Sequence, residues 1–186
     1  MIRHFTASGI VLSDDDHVLL VEHRKLGWWL YPGGHIDSDE DPAQAVIREV
    51  TEETGITCQI TAESRFIHPA ATVLPAPFTI CVQDIPADAT TGPHQHIDMV
   101  YVLAPGRGQF IPQLEEVTGC AWIPLAKVAD LDTPPELPAL IEKAAEYACA
   151  VRGSQATLSG LRSQQAQCSG GHRTRAGSFT QAVLGD

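Results

Sequence analysis

Apolar and β-branched residues crowd into two runs near the start of the chain, residues 4–13 and 17–24, separated by Ser13-Asp14-Asp15-Asp16. Two such runs around a short polar break predict a β-hairpin. A short aromatic run, Trp28-Trp29-Leu30-Tyr31, stops at Pro32-Gly33-Gly34, a strong breaker. The next apolar positions change period and predict a helix. Asp41 is placed to cap it, Pro42 suits its first position, and Gln44 stands where the capping-box partner belongs. Gly55 is the natural stop after Thr54. Strand-like runs recur near 56–68, 78–85, 95–104 and 120–124, and a second helix is expected over 134–150.

From Arg152 the pattern fades. Residues 152–186 are rich in Ser, Gly, Gln and Arg and poor in large apolar residues, with four Arg and one Asp. They are expected to form a mobile tail with little structure of its own, leaving residues 1–151 as the folded domain.

Charge narrows the functional classes. Lys plus Arg number 12 against 23 Asp plus Glu, a net charge of -11, and residues 1–151 alone hold 8 basic and 22 acidic residues. Binding to long nucleic acids needs a cationic surface, so bulk DNA or RNA is an unsuitable partner. Small phosphorylated ligands remain open, because a divalent metal on carboxylates reverses the local sign. The five cysteines, at 58, 81, 120, 149 and 168, form no close pair and read as reduced thiols. Neither a signal peptide nor a run of about eighteen apolar residues is present, so a soluble, cytoplasmic protein is expected, with no membrane partner.

The stretch that carries chemistry is Gly34 to Ile56, GHIDSDEDPAQAVIREVTEETGI. On a helical projection with Glu49 at zero, Glu53 falls about 40° to one side and Glu52 about 60° to the other. Ala43, Val46, Ile47, Val50 and Thr54 occupy a separate arc centred about 100° away on Val50. One face packs, and its neighbour crowds three carboxylates. Arg48 alone cannot balance these plus Glu40, so a cation is missing. Oxygen donors without His or Cys favour Mg²⁺ or Mn²⁺ over zinc, and a Gly34 carbonyl could add a ligand. The chemistry suggested is attack of water on a phosphoanhydride, with a carboxylate taking the proton.

The same string resembles the Nudix box, G-x5-E-x7-R-E-U-x-E-E-x-G-U with U aliphatic. Gly34, Glu40, Arg48, Glu49, Val50, Glu52, Glu53, Gly55 and Ile56 fill every fixed position. The Trp29-to-Gly34 entry W-x-x-P-G-G and the late Ala121-Trp122-Ile123-Pro124 strand are similar to the family too. The resemblance covers roughly residues 4–150. It implies a Nudix-type α/β/α sandwich around a mixed β-sheet, and a Mg²⁺- or Mn²⁺-dependent pyrophosphohydrolase. The expected substrate is a nucleoside diphosphate linked to another group: a nucleotide, a nucleotide sugar or a nucleoside triphosphate. By position, the resemblance implies Glu49 and Glu53 as main metal ligands, Glu52 as ligand or base, and the Gly34 carbonyl as a further ligand. It makes Arg48 the group that orients Glu49 or Glu52, and Glu40 structural in the loop. Family members sometimes take the base from outside the box, which brings in Glu115 and, as a catalytic candidate, Glu116. Many members form homodimers. A non-catalytic nucleotide-binding or regulatory Nudix module and an isoprenyl diphosphate isomerase are the alternative classes. The intact box speaks against the first, and the lack of any cysteine placed for catalysis against the second.

Outside the box, His94, His96 and Asp98 alternate along HQHIDMVYV and should project to one side, with Ile97, Met99 and Tyr101 on the other. The three polar residues are candidate contacts to phosphate or ribose. Arg24 and Lys25 form a basic cluster that could meet substrate phosphates, and Trp28 or Trp29 could stack on a base, only one of the two being expected at the surface. His35, next to the glycines, is a further candidate to line the cleft.

Overall fold

The computed structural model describes residues 2–62, 66–87, 91–111 and 117–169. Contacts divide the chain into Met1–Val151 and Arg152–Asp186. Among the described residues, eight strands make one mixed sheet: β1 (Arg3–Leu12), β2 (His17–His23), β3 (Trp29–Leu30), β4 (Gly33–His35), β5 (Ile56–Ile60), β6 (Thr79–Ile85), β7 (His94–Gly108) and β8 (Val117–Pro124). The spine runs β3-β2-β1-β7-β5, with β4 on β1, β6 on β7 and β8 on β2. β1 and β7 pair in parallel; every other pairing is antiparallel.

β1 is the centre of the fold, and its run of buried residues reflects burial on both faces. Ala7 and Val11 join Leu19, Tyr101 and Leu103 beneath α1 (Pro42–Thr54), through Val46 and Val50. Ile10 and Leu12 join Val18, Leu20, Val100 and Val102 on the opposite face, under Leu137, Ile141, Ala144 and Ala148 of α2 (Leu137–Ser169). The result is the expected sandwich of helix, mixed sheet and helix.

The caps of α1 match their sequence signals. Asp41 accepts from the Ala43 and Gln44 amides at 2.9 Å each, and Gln44 returns a bond to the Asp41 amide. Gly55 ends the helix at φ 76°, the left-handed region open to glycine. A Cβ there would also fall 2.4 Å from the Gln109 carbonyl oxygen.

Two details depart from the sequence expectation. Ile47, assigned to the packing arc of α1, is exposed, whereas Glu53 is buried at 5% exposure. The helix is therefore turned so that Ala45 packs and Glu53 points at the β4 backbone. The second helix also runs on to Ser169 instead of ending near 150. No proline follows Pro138, and Ala, Gln, Leu and Arg propagate a helix once it is nucleated. Among the described residues, no helix is long and apolar enough to cross a membrane.

Candidate active site

Glu49, Glu52, Glu53 and Arg48 share the C-terminal half of α1, and β4 passes alongside with Gly33 and Gly34. The Glu53 Oε2 accepts the Gly33 amide at 3.0 Å. Gly34 faces Glu49 so closely that a Cβ at residue 34 would fall 2.4 Å from Glu49 Oε1. Glycine is needed here to let backbone and carboxylate approach.

Arg48 ties the cluster together. Its Nε and Nη2 donate to the two Glu40 oxygens at 2.7 and 2.9 Å. Its Nη1 donates to Glu49 Oε1 at 2.9 Å and Glu52 Oε2 at 3.0 Å, and Nη2 also reaches the His35 carbonyl at 3.0 Å. A planar guanidinium can serve this many oxygens because its donors are fixed in one fork. The Glu40 contact raises the Arg48 pKa further, with Glu49 and Glu52 adding to the effect. In return, the Arg48 hydrogen bond holds the Glu40 carboxyl below its ordinary range. Glu40 also accepts the Asp37 amide, which pins the loop before the helix. One guanidinium thus faces Glu40, Glu49 and Glu52, with Glu53 of α1 hydrogen-bonded to the glycine strand, leaving an excess of negative charge. Glu49 is 12% exposed at its side chain and Glu52 44%, so Glu52 is the more open to water.

The structure also brings four imidazoles together. The parallel register sets His4 opposite His96, and β4 sets His35 opposite Thr6. Alternation then places His4, His35, His94 and His96 on one side of the sheet. Ring centroids lie 4.7 Å apart for His4–His94, 4.9 Å for His35–His96 and 5.0 Å for His94–His96. Burial, with the neighbouring histidines, pushes the His96 pKa down to about 4. Sequence reasoning missed His4; nothing local in RHFTAS marks it, because its partners come from β7 and β4.

Asp98 shares that side but is turned inward at 3% exposure. Its Oδ1 accepts from Thr6 Oγ1 at 2.9 Å and Ser8 Oγ at 2.8 Å, and the Tyr31 hydroxyl also bonds it. Burial raises its pKa against these hydrogen bonds. This polar knot ties β1 to β7, so the structure gives Asp98 protein partners where a ligand contact was expected.

Arg24, Lys25 and Trp28 lie exposed in the β2–β3 turn, which is closed by the His23 amide on the Trp28 carbonyl at 2.8 Å. Trp28 is at the surface, whereas Trp29 packs against the α2-side core. Glu115 and Glu116 lie outside the described residues.

A family profile of the NUDIX domain matches residues 3–144. An uncharacterized Nudix hydrolase, YvcI, of Bacillus subtilis is 52% identical over 46 residues, 25% of this chain and 29% of that protein. A CMP-5'-(N-acetyl-N-hydroxy-3-aminopropyl)phosphonate hydrolase of Streptomyces rubellomurinus is 28% identical over 135 residues, 70% of this chain and 56% of that protein. The chain thus spans less than two thirds of the length of these relatives. A NUDIX-family hydrolase of Clostridium perfringens superimposes with a TM-score of 0.65 at 25% identity, covering 79% of this chain and 99% of that one. With a complete box running from β4 through α1 to β5, a mixed sheet between two helices and a family profile spanning most of its length, the chain belongs to the Nudix family.

Proposed function

We propose that this domain is a Mg²⁺- or Mn²⁺-dependent pyrophosphohydrolase that cleaves a phosphoanhydride in a nucleoside diphosphate linked to another group. The observation that carries the reading is the Arg48 fork. One guanidinium holds Glu40, Glu49 and Glu52 within 3.0 Å while Glu53 is fixed on the Gly33 amide. Like charges gathered this closely destabilise a fold unless they serve a cation. The donor set fits a hard divalent ion, since the oxygens carry no competing nitrogen or sulfur and residue 34 leaves room for backbone approach. Glu49, Glu52, Glu53 and the Gly34 carbonyl would hold it, and when bound it would draw charge from the departing phosphate oxygen.

The chain's own groups supply the rest. Glu52, the more exposed of the two carboxylates on Arg48 Nη1, takes the proton of the attacking water in this reading. Water oxygen bonds to phosphorus as the bridging P–O bond breaks, giving a nucleoside monophosphate and the partner phosphate. Arg48 keeps Glu49 and Glu52 in register, and Glu40 braces Arg48 from the loop. A nucleotide-linked substrate is in keeping with the CMP-linked phosphonate named for the Streptomyces relative.

The test is turnover of nucleoside triphosphates, nucleotide sugars, dinucleoside polyphosphates and an isoprenyl diphosphate with Mg²⁺ or Mn²⁺, beside Glu53→Gln. Metal-dependent release of a nucleoside monophosphate, lost in the variant, supports the reading. Tight, metal-independent binding of one compound without turnover refutes it in favour of a binding module.

A further inference from the structure

We infer that His4, His94 and His96, with His35 beside them, form a second metal site selective for a borderline-soft divalent ion of the Zn²⁺ class. Three observations support it. Among the described residues, this is the only group of three His, Cys, Asp or Glu side chains whose donor atoms all lie within 4.8 Å of one another. His94 Nε2 and His96 Nε2 are 3.2 Å apart, and His35 Nε2 and His4 Nδ1 are 3.3 Å apart. Nitrogens bound tetrahedrally at zinc distances stand about 3.3 Å apart, so two edges of such a polyhedron are already near closure.

The tautomer of His94 is also set. Its Nδ1 lies 2.9 Å from the Gly92 carbonyl oxygen, which can only accept, so Nδ1 carries the proton. In the neutral ring, Nε2 then presents its lone pair to His96. Metal-ligating imidazoles are commonly oriented by such a carbonyl. Without metal, His96 Nε2–H donates to that lone pair. Moving the His96 proton from Nε2 to Nδ1 frees a second lone pair with no net proton release.

The four residues come from three strands, so an ion here would clip β1 to β7 and, through His35, reach the end of β4 that follows Gly33 and Gly34. An all-imidazole set contrasts with the all-oxygen set on α1, and each should prefer its own class of ion. This site does not depend on the hydrolase reading.

The chelator-stripped full chain, without an added histidine tag, would be titrated calorimetrically with Zn²⁺ in excess Mg²⁺. One Zn²⁺ per chain is expected, with affinity weakened at least about tenfold in His96→Gln and in His4→Gln and unchanged in Glu53→Gln. In the wild-type chain, imidazole ¹H–¹⁵N correlation spectra should show three or four of the eight histidines shifting as Zn²⁺ is added. Circular dichroism checks the folding of each variant, and the wild-type spectra stand even if a variant fails to fold. Absence of Zn²⁺ uptake, equal affinity in His96→Gln, or unmoved imidazole signals would each overturn the site. A Glu53→Gln variant that loses Zn²⁺ while His96→Gln keeps it would do so as well.

Discussion

Replacing Gly34 with alanine adds one methyl group next to the chemistry. That Cβ would sit 2.4 Å from Glu49 Oε1 and 2.6 Å from its Cδ, where ordinary contact begins at 3.4 Å. The carboxylate must therefore retreat by about 1 Å. It is the far end of a flexible side chain, so the stability cost should stay near about 1 kcal/mol, the low end for overpacking. The chemical cost is larger, because Glu49 leaves its 2.9 Å bond to Arg48 Nη1 and its place beside β4. A misplacement of this size lowers kcat about 100-fold, or about 2.7 kcal/mol in the barrier. Gly33→Ala should reverse the balance. There the methyl meets Ser8 Cα at 2.6 Å, which is backbone of the adjoining strand, so the cost rises towards about 3 kcal/mol. Urea denaturation and steady-state kinetics on one substrate separate the two effects. A Gly34→Ala enzyme with kcat within about twofold of wild type would refute the placement of Glu49 at the reacting centre.

Three further outcomes follow from the same geometry. Arg48→Lys keeps the charge but cannot fork between Glu40, Glu49 and Glu52, so kcat should fall roughly tenfold or more while the circular dichroism spectrum is retained. Asp41→Ala removes the cap of α1 and should lower the urea midpoint by an amount equivalent to about 1 kcal/mol, with an unchanged m value. The metal-free protein should lose stability as pH falls from 6.5 towards about 4, because His96 titrates lower in the folded than in the unfolded chain and the unfolded state takes up the proton first. Thermal melts across that window should show a shallower slope for His96→Gln.

How much of this was legible in sequence depends on how local the determinant is. The hairpin, the caps at Asp41 and Gly55 and the carboxylate face of α1 are written within stretches of a few residues, where turn chemistry and helical period act directly. Even there the rotation of α1 escaped, because Ile47 and Glu53 trade exposure according to what the sheet offers, and the sheet offers the Gly33 amide to Glu53.

The sequence by itself determined an acidic α/β chain with a complete box of oxygen donors following two glycines. Tertiary structure alone decided which distant residues meet. The β1–β7 register brings Thr6 to Asp98 across 92 residues, turning a candidate ligand contact into a buried knot, and sets His4 beside His96. Strand alternation fixes the side to which a residue points, but pairing between strands far apart in sequence is chosen by the burial of the whole sheet between two helices, and no local pattern encodes it.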